Sequence, residues 1–474
     1  MAASAAPTLG PRLARFLPWL IAMAFFMQGL DATIVNVALP SMARSLDQNP
    51  LHMQSVIIAY LLTVAALIPT SGWMAERFGT RKVFCFAIAT FTLGSLLCGL
   101  SPNLTTLLVA RVLQGIGGAL MVPVGRLVIL RAYPREQLVK VMGFVTLPAL
   151  LGPLMGPTVG GWLVQLLSWH WIFLINLPIG IIGGVVAALY VPNFVRNERL
   201  HFDLVGFITF STAMVALSLS LEGLADLHLN AAPIVLLLLA GLVCLCTHWL
   251  RALRVEEPLF PPDLFSIRTF SIGILGNVFA RLGNGALPFL IPLMLQVGLH
   301  FSPAITGFLM IPMTLAAMLA KPLAQPVLTR FGYKRTLVVN TLLLGALIMS
   351  MALTGPTTPI WLIVVHLFIL GLVNSLQFTA MNTLTLIDLD ENHAASGNGL
   401  LAVVMQLSIG IGVSSSAALL SGFNPSGSDA QPAVLTAFAA TFVCVGGMAM
   451  LAALLFFQLH PGDGRVRPRK RHHH

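Results

Sequence analysis

Long apolar runs separated by short polar loops are the dominant pattern along this chain of 474 residues. Most runs are about 20 residues long, which is the length of a helix that crosses a lipid bilayer. They lack the strict apolar–polar alternation of the strands in a transmembrane barrel. We therefore predict fourteen membrane-spanning helices, numbered spans 1 to 14, at roughly 16–39, 52–72, 83–101, 104–128, 138–164, 171–192, 204–222, 231–250, 270–297, 304–326, 336–354, 359–382, 398–421 and 433–458.

The composition agrees with this pattern, because 57% of the residues are hydrophobic and only 9% are charged. A soluble domain carries roughly 25% charged residues. In lipid, backbone polar groups must be satisfied within the protein, which leaves helix bundles or closed barrels. The predicted fold class is therefore an all-α membrane protein. The first apolar run is too long for a cleaved signal peptide, and the five cysteines lie in apolar runs, where we interpret them as packing residues.

Positively charged residues between the runs indicate the orientation of the chain. When the N-terminus is placed inside, Lys and Arg collect in the inner loops and at the two termini, and only Arg44 falls in an outer loop. This asymmetry is the positive-inside rule. It predicts a multi-pass protein of a bacterial inner membrane with both termini in the cytoplasm. The net charge of +10 then fits anionic lipid at the inner surface and requires no nucleic acid.

A six-residue pattern occurs twice in the predicted inner loops. Arg77–Lys82 reads Arg-Phe-Gly-Thr-Arg-Lys, and Arg330–Arg335, 253 residues further on, reads Arg-Phe-Gly-Tyr-Lys-Arg. Two six-helix halves separated by two extra helices would give this spacing, and transporters are commonly built from paired halves. We predict an N-terminal half at 1–195, two linker helices at 196–255, a C-terminal half at 256–460 and a basic tail at 461–474. The last three histidines of the tail resemble the remnant of a purification tag.

Two charged residues lie deep in spans 1 and 4. Asp31 lies nine residues before Pro40, and Arg111 lies eight residues after Asn103, both counted from the outer ends of their spans. Both therefore lie about 12–14 Å below the outer surface, so they can meet across the bundle. A carboxylate in a span is costly unless it is paired or hydrated. We predict that Asp31 binds a coupled proton with Arg111 as its partner; the alternative is that Asp31 is only a cap in a kinked helix.

Further polar residues fall on one face of span 9 and within span 12, where isolated polar side chains often serve only to join helices. A cluster on these two spans favours a binding site instead. We predict that substrate is contacted by Asn277, Arg281 and Asn284 in span 9, by His366, Asn374 and Gln377 in span 12, and by Arg126 in span 4.

Two more motifs suggest how the helices move. The first inner loop has charged residues at a helix end, which can pair with neighbouring helices and hold one state of the bundle; plain anchoring by positive charge is the alternative. Span 5 has glycines spaced by four, which allow another helix to approach closely, and a proline that permits a bend. The predicted gating residues are Gly72, Glu76, Arg77, Gly79 and Arg81, and the span 5 motif comprises Gly152, Gly156, Pro157, Gly160 and Gly161.

Four motifs together resemble the major facilitator superfamily, in particular its fourteen-span drug:proton antiporter branch. They are Leu30–Pro40, Gly72–Lys82, Arg111–Gly118 and Gly152–Gly161. The chain departs from the family at Glu76 and Thr80, where Asp and Arg are more usual, and at Met405, where a basic residue is common. The resemblance implies a major facilitator fold of two six-helix halves with a two-helix insert, and proton roles for Asp31 and Arg111. It also implies alternating access around a cavity lined by spans 1, 4, 9 and 12.

The predicted function is a proton-coupled secondary transporter that exports small molecules as a multidrug-type antiporter, and not an enzyme. The expected partners are a small-molecule substrate, protons and the lipid bilayer. We expect no cofactor, no metal and no nucleic acid, and we expect a monomer.

Charge within the spans leaves an alternative open. Four cations, Arg111, Arg126, Arg281 and Lys321, face a single deep carboxylate, Asp31. This excess favours export of organic anions, such as di- or tricarboxylates or their metal chelates. A membrane-embedded enzyme that modifies lipid is more remote, because it would need a nucleophile or metal cluster near an interface. A sensor without transport is a further alternative.

Overall fold

The computed structural model describes residues 11–50, 53–195, 202–225, 231–390, 393–424 and 430–464, so the basic stretch of the tail lies outside the described residues. All regular structure in these ranges is helical. The α-helices, in chain order, are α1 Pro11–Ser45, α2 Gln54–Leu67, α3 Thr70–Phe78, α4 Thr80–Gly99, α5 Leu104–Ala132, α6 Arg135–Leu166, α7 Trp171–Leu174, α8 Asn176–Tyr190, α9 Leu204–Ala225, α10 Ala231–Ala252, α11 Arg268–Asn284, α12 Leu287–Leu293, α13 Pro303–Ser350, α14 Ile360–Ile387, α15 Ala394–Phe423 and α16 Gln431–Phe456.

The helices confirm the all-α membrane class, while the count of fourteen spans stays a prediction. Twelve described helical segments are long and apolar enough to cross a membrane, or thirteen if α2 and α3, bent by 59°, form one span. Pro69 lies at that bend, where it removes a backbone hydrogen bond. The 48 residues of α13 include Gly332, whose φ of 76° and ψ of 164° are not helical. An unbroken helix of that length would be about 72 Å long, more than twice the hydrocarbon core of a bilayer. The sequence places a loop at this glycine.

The helices pack as two bundles joined by a hairpin. Helices α1 to α8 pack mainly on one another and are called the N half, and α11 to α16 do the same and are called the C half. The halves meet along two seams, one between α6 and α13 and the other between α2 and α15. The hairpin of α9 and α10 lies on the second seam, where Phe210 and Phe260 join a buried cluster with Ala65 of α2 and Leu401 of α15.

Apolar side chains join the two halves at the end that we predict to be outer. Leu39 of α1 belongs to the same buried cluster as Phe289 of α12 and Phe438 of α16. The side-chain amide of Gln296 donates to the carbonyl of Val37 in the other half at 2.8 Å. Two other buried clusters, nearer the opposite end, each lie within a single half. The molecule is therefore closed at the predicted outer end.

Candidate functional site

Asp31 and Arg111 meet in the interior of the N half. Asp31 lies on α1 and is 0% exposed, and Arg111 lies on α5 and is 2% exposed. An Nη1–Oδ2 distance of 2.8 Å joins them. The contact that equal depth in two spans predicts is therefore present, and its proton role remains a proposal.

Amide and hydroxyl groups complete the hydrogen bonding of this ion pair. Gln114, one turn beyond Arg111, accepts from Arg111 Nη1 at 2.6 Å and donates to Asp31 Oδ1 at 2.7 Å. Its amide also donates to the hydroxyl of Ser95 at 2.8 Å. Asn176 of α8 donates to Asp31 Oδ1 at 3.3 Å. The carboxylate thus receives three hydrogen bonds from two helices other than its own, two from α5 and one from α8.

Aromatic and backbone groups enclose the guanidinium of Arg111. Its Nε donates to the carbonyl of Val56 at 3.1 Å. Its Cζ lies 4.5 Å from the ring centroid of Tyr60 and 5.8 Å from that of Phe173. A cation over aromatic faces is attracted by the ring quadrupoles, more strongly when water is absent. Removal of either member of the ion pair would therefore leave the other charge buried without its counter-ion.

Sequence reasoning missed four members of this network: Gln114, Asn176, Ser95 and Tyr60. Gln114 could have been predicted, because it follows Arg111 by three residues and residues three apart share a helix face. Asn176 and Ser95 gave no comparable signal, since only tertiary packing brings α4 and α8 to Asp31.

The glycines of α6 pack directly on the turn of α1 that carries Asp31. A Cβ placed on Gly152 would lie 2.6 Å from the carbonyl oxygen of Phe26, and one on Gly160 would lie 2.7 Å from the Ile34 side chain. A Cβ on Gly156 would overlap the Thr33 hydroxyl. These positions accept no side chain without a shift of α1. Pro157 lies inside α6 between two of these glycines.

The last glycine of this motif faces the other half. A Cβ on Gly161 would collide with the carbonyl of Pro303, and the carbonyl of Pro157 would meet a Cβ on Gly307. The Thr158 hydroxyl donates to the carbonyl of Gly307 at 3.3 Å. Helix α6 therefore touches both the Asp31 turn and α13 of the C half at very short range.

Arg281 occupies a different environment in the C half. It is 5% exposed, and its Nε donates to Asn277 Oδ1 at 3.3 Å. Its Cζ lies 4.7 Å from the ring centroid of Phe378 on α14. Nη2 has no hydrogen-bond partner among the described residues. One turn further along α11, the amide of Asn284 donates to Asn374 Oδ1 at 3.0 Å. Four of the predicted substrate contacts thus lie between α11 and α14.

His366 and Gln377 share a face of α14, as their spacing predicts, but that face meets α13 and not the Arg281 group. His366 Nε2 lies 2.9 Å from the carbonyl of Leu347. The Gln377 amide donates to Thr341 at 2.7 Å and accepts from Asn340 at 2.9 Å. Helical periodicity gives the angle between two residues but not the neighbour that they face. Because these two side chains face α13 and do not join the Arg281 group, we leave both out of the proposed substrate site.

The remaining predicted residues lie nearer the loop ends. Arg126 is exposed on α5 of the N half, whereas Arg281 lies on α11 of the C half. Glu76 accepts from Arg131 at 2.5 Å within the N half. Arg81 donates from its side chain to the carbonyl of Val191.

The rest of the gating motif shapes the turn between α3 and α4. Gly79 has a φ of 94°, which favours glycine, and Asn193 Oδ1 occupies the space of its missing Cβ. Arg77 and Gly72 are exposed. The gating role of this motif stays a prediction.

Known proteins share both the sequence and the architecture. A sequence model of the Major Facilitator Superfamily matches residues 21–413 and, in a second alignment, 273–474. The chain is 48% identical over 452 residues to "Putative multidrug resistance protein MdtD" of Pectobacterium atrosepticum, covering 95% of this chain and 97% of that protein.

Solved structures of transporters share the fold. A POT family transporter crystallised with 5-aminolevulinic acid has a TM-score of 0.68 at 16% identity, covering 93% of this chain and 95% of that one. A bacterial homologue of the lysosomal transporter Spinster has a TM-score of 0.63 at 17% identity. The alignment covers 94% of this chain and 97% of that one. The chain therefore belongs to the major facilitator superfamily and is a multi-pass membrane transporter, not an enzyme.

Proposed function

We propose that this protein is a proton-coupled secondary transporter that exports small molecules from the cytoplasm by alternating access, as a multidrug-type antiporter. The names of its MdtD relatives support the multidrug type. The observation that carries the proposal is the Asp31 carboxylate, fully buried in the N half yet joined to Arg111 and two amides. A buried ionisable group in a span is costly, and proton relay is a common reason for one.

Proton binding at Asp31 would weaken its attraction for Arg111, because the carboxyl group is then neutral. The guanidinium would not lose all its acceptors, since Gln114 Oε1 lies 2.6 Å from Nη1 and the Val56 carbonyl lies 3.1 Å from Nε. The amides of Gln114 and Asn176 would still find an acceptor in the neutral carboxyl oxygen. The donors that now bond to Asp31 would therefore keep acceptors in both protonation states, and protonation adds one O–H donor on Asp31 itself.

Movement of α1 would carry this change to the rest of the molecule. The Asp31 turn of α1 packs on the glycines of α6. Further along α1, the Val37 carbonyl accepts a hydrogen bond from Gln296 of the C half. Closely packed helices with two arrangements are the usual carriers of such coupling. A shift of α1 after protonation would alter the contact between halves that closes the predicted outer end.

The cellular setting that we propose follows the charge asymmetry of the loops. The protein would lie in a bacterial inner membrane with both termini in the cytoplasm and would work as a monomer. Glu76, Arg77 and Arg81 would act at the inner gate, where Glu76 pairs with Arg131 in the present state.

Flux measurements in proteoliposomes test the proposed function. Vesicles with an acidic lumen should accumulate a transported compound from a mixed panel of cationic, neutral and anionic dyes, and a protonophore should abolish the accumulation. Accumulation that persists unchanged with the protonophore would argue against proton coupling. Absence of flux for every compound in the panel would argue against export altogether.

Arg281 favours a second candidate, the export of anionic or zwitterionic compounds. A buried guanidinium without an anionic partner is costly, and Nη2 has no partner among the described residues. A carboxylate on the substrate can supply two parallel hydrogen bonds to a guanidinium. Asn277, Asn284 and Asn374 would offer neutral donors and acceptors beside it. A lipophilic monocation would instead add to the uncompensated charge.

A further inference from the structure

A groove of about 370 Å³ lies in the C half, beside the turn at Gly332. We propose that it binds an anionic phospholipid of the inner leaflet, with the phosphate at Arg335 and an acyl chain along the apolar wall. The groove is lined by Val327, Phe331, Arg335, Thr336, Val339, Asn340, Leu343 and Leu376.

The direction in which the groove opens follows from α14. Leu376 and Phe378 are two residues apart, which is about 200° around a helix, so they lie on opposite faces. Phe378 packs on the Arg281 guanidinium, whereas Leu376 lines the groove. The groove therefore opens away from Arg281, toward the perimeter of the bundle. Val339 is 64% exposed in its wall, as expected for a side chain that meets lipid.

Two polar groups lie at the loop end of this apolar wall. The side chain of Arg335 is exposed, and the buried hydroxyl of Thr336 has no hydrogen-bond partner among the described residues. A helical threonine can donate to the carbonyl four residues earlier. Here that residue is Gly332, whose backbone is not helical, so the hydroxyl is left free. A cation and a free donor above an apolar groove match a lipid phosphate above its acyl chain.

The repeat in the N half provides a matched control. At the offset of 253 residues, Lys82 stands in the position of Arg335, and Val83 stands in the position of Thr336. The segment after α8 covers this loop, because the Thr80 hydroxyl donates to the Pro192 carbonyl at 2.9 Å and accepts from the Phe194 N–H at 3.0 Å. Lys82 thus has the charge of Arg335 without the free hydroxyl beside it.

Native mass spectrometry of the purified full-length protein tests this site, with phosphatidylglycerol and phosphatidylcholine as probes. The wild type should bind phosphatidylglycerol more tightly than phosphatidylcholine. Arg335→Ala should weaken phosphatidylglycerol binding about fivefold, the effect of one cation near a lipid surface. Val339→Trp should weaken the binding of both lipids, because it fills the groove without changing the charge. Lys82→Ala should bind both lipids like the wild type.

Several outcomes would overturn the proposal. Unchanged lipid binding in both Arg335→Ala and Val339→Trp would remove the site, and an equal loss in Lys82→Ala would indicate diffuse attraction to the charged loops. Inorganic phosphate that binds as tightly as phosphatidylglycerol would show that the acyl chain contributes nothing. If Arg335→Ala does not fold, Val339→Trp decides the question alone. Transport is not measured, so failure here leaves the proposed function untouched.

Discussion

The two halves of this transporter repeat the same loop motif, yet they surround their buried arginines differently. Arg111 in the N half meets the Asp31 carboxylate at 2.8 Å and the Gln114 amide at 2.6 Å. Arg281 in the C half has Asn277 at 3.3 Å and the ring of Phe378, and its Nη2 is unpartnered within the described ranges. A charge paired inside the protein can respond to a proton, whereas an unpaired charge can be satisfied by a ligand. We therefore propose that the N half carries proton coupling and the C half carries substrate recognition.

Stability should separate the two arginines most strongly. Arg111→Gln should destabilise the protein by about 3–5 kcal/mol at neutral pH, because the buried Asp31 carboxylate loses its cation. Arg281→Gln should cost much less, since no described carboxylate pairs with it and Asn277 keeps its bond to the Gly273 carbonyl at 3.0 Å. Thermal unfolding of the purified variants in one detergent measures both effects. Similar losses in the two variants would contradict the proposed difference.

The contact between α6 and α1 should give the next largest effect. Gly152→Ala should destabilise the protein by about 1–3 kcal/mol, as overpacking does, because the new Cβ would press on the backbone at Phe26 and Leu30. Gly143→Ala in the same helix is the matched control, since nothing lies within 4 Å of its added Cβ. That control should be neutral or stabilising by up to about 1 kcal/mol. If both variants behave alike in thermal unfolding, the close packing has no energetic role.

A change in substrate affinity should be the smallest of these effects. Arg281→Gln should raise the apparent KM for an organic anion about tenfold, the effect of one hydrogen bond to a charged group, and should spare a neutral substrate. The KM of Arg281→Lys should lie between those of the wild type and Arg281→Gln, because lysine retains the charge but not the bidentate geometry. Initial rates in proteoliposomes measure the KM. Resistance to quaternary ammonium compounds that survives Arg281→Gln, with no carboxylate transported, would contradict an anionic substrate.

Several parts of this fold could be predicted from the sequence because lipid imposes regular lengths and charge patterns. Apolar run length gave the helices, and the rise per residue placed Asp31 and Arg111 at one depth, where they do meet. The repeated Arg-Phe-Gly loop located the turn at Gly332, which lies within the residue range of α13.

The sequence could not predict which helix each polar face contacts. Asn176 reaches Asp31 only because α8 packs beside α1 and α4. His366 and Gln377 lie on one face, as predicted, but only the packing of α14 on α13 shows that this face points away from Arg281. Periodicity fixes angles within a helix, and contacts between helices depend on the whole bundle.

Proton-driven transport by Asp31→Asn tests the central claim most directly. The variant, reconstituted beside the wild type, should still let substrate equilibrate but should not accumulate it in response to a pH gradient. Glu222→Gln, which removes a carboxylate from α9 outside the network, should accumulate substrate like the wild type. Accumulation by Asp31→Asn at the wild-type rate would show that the proton is coupled elsewhere.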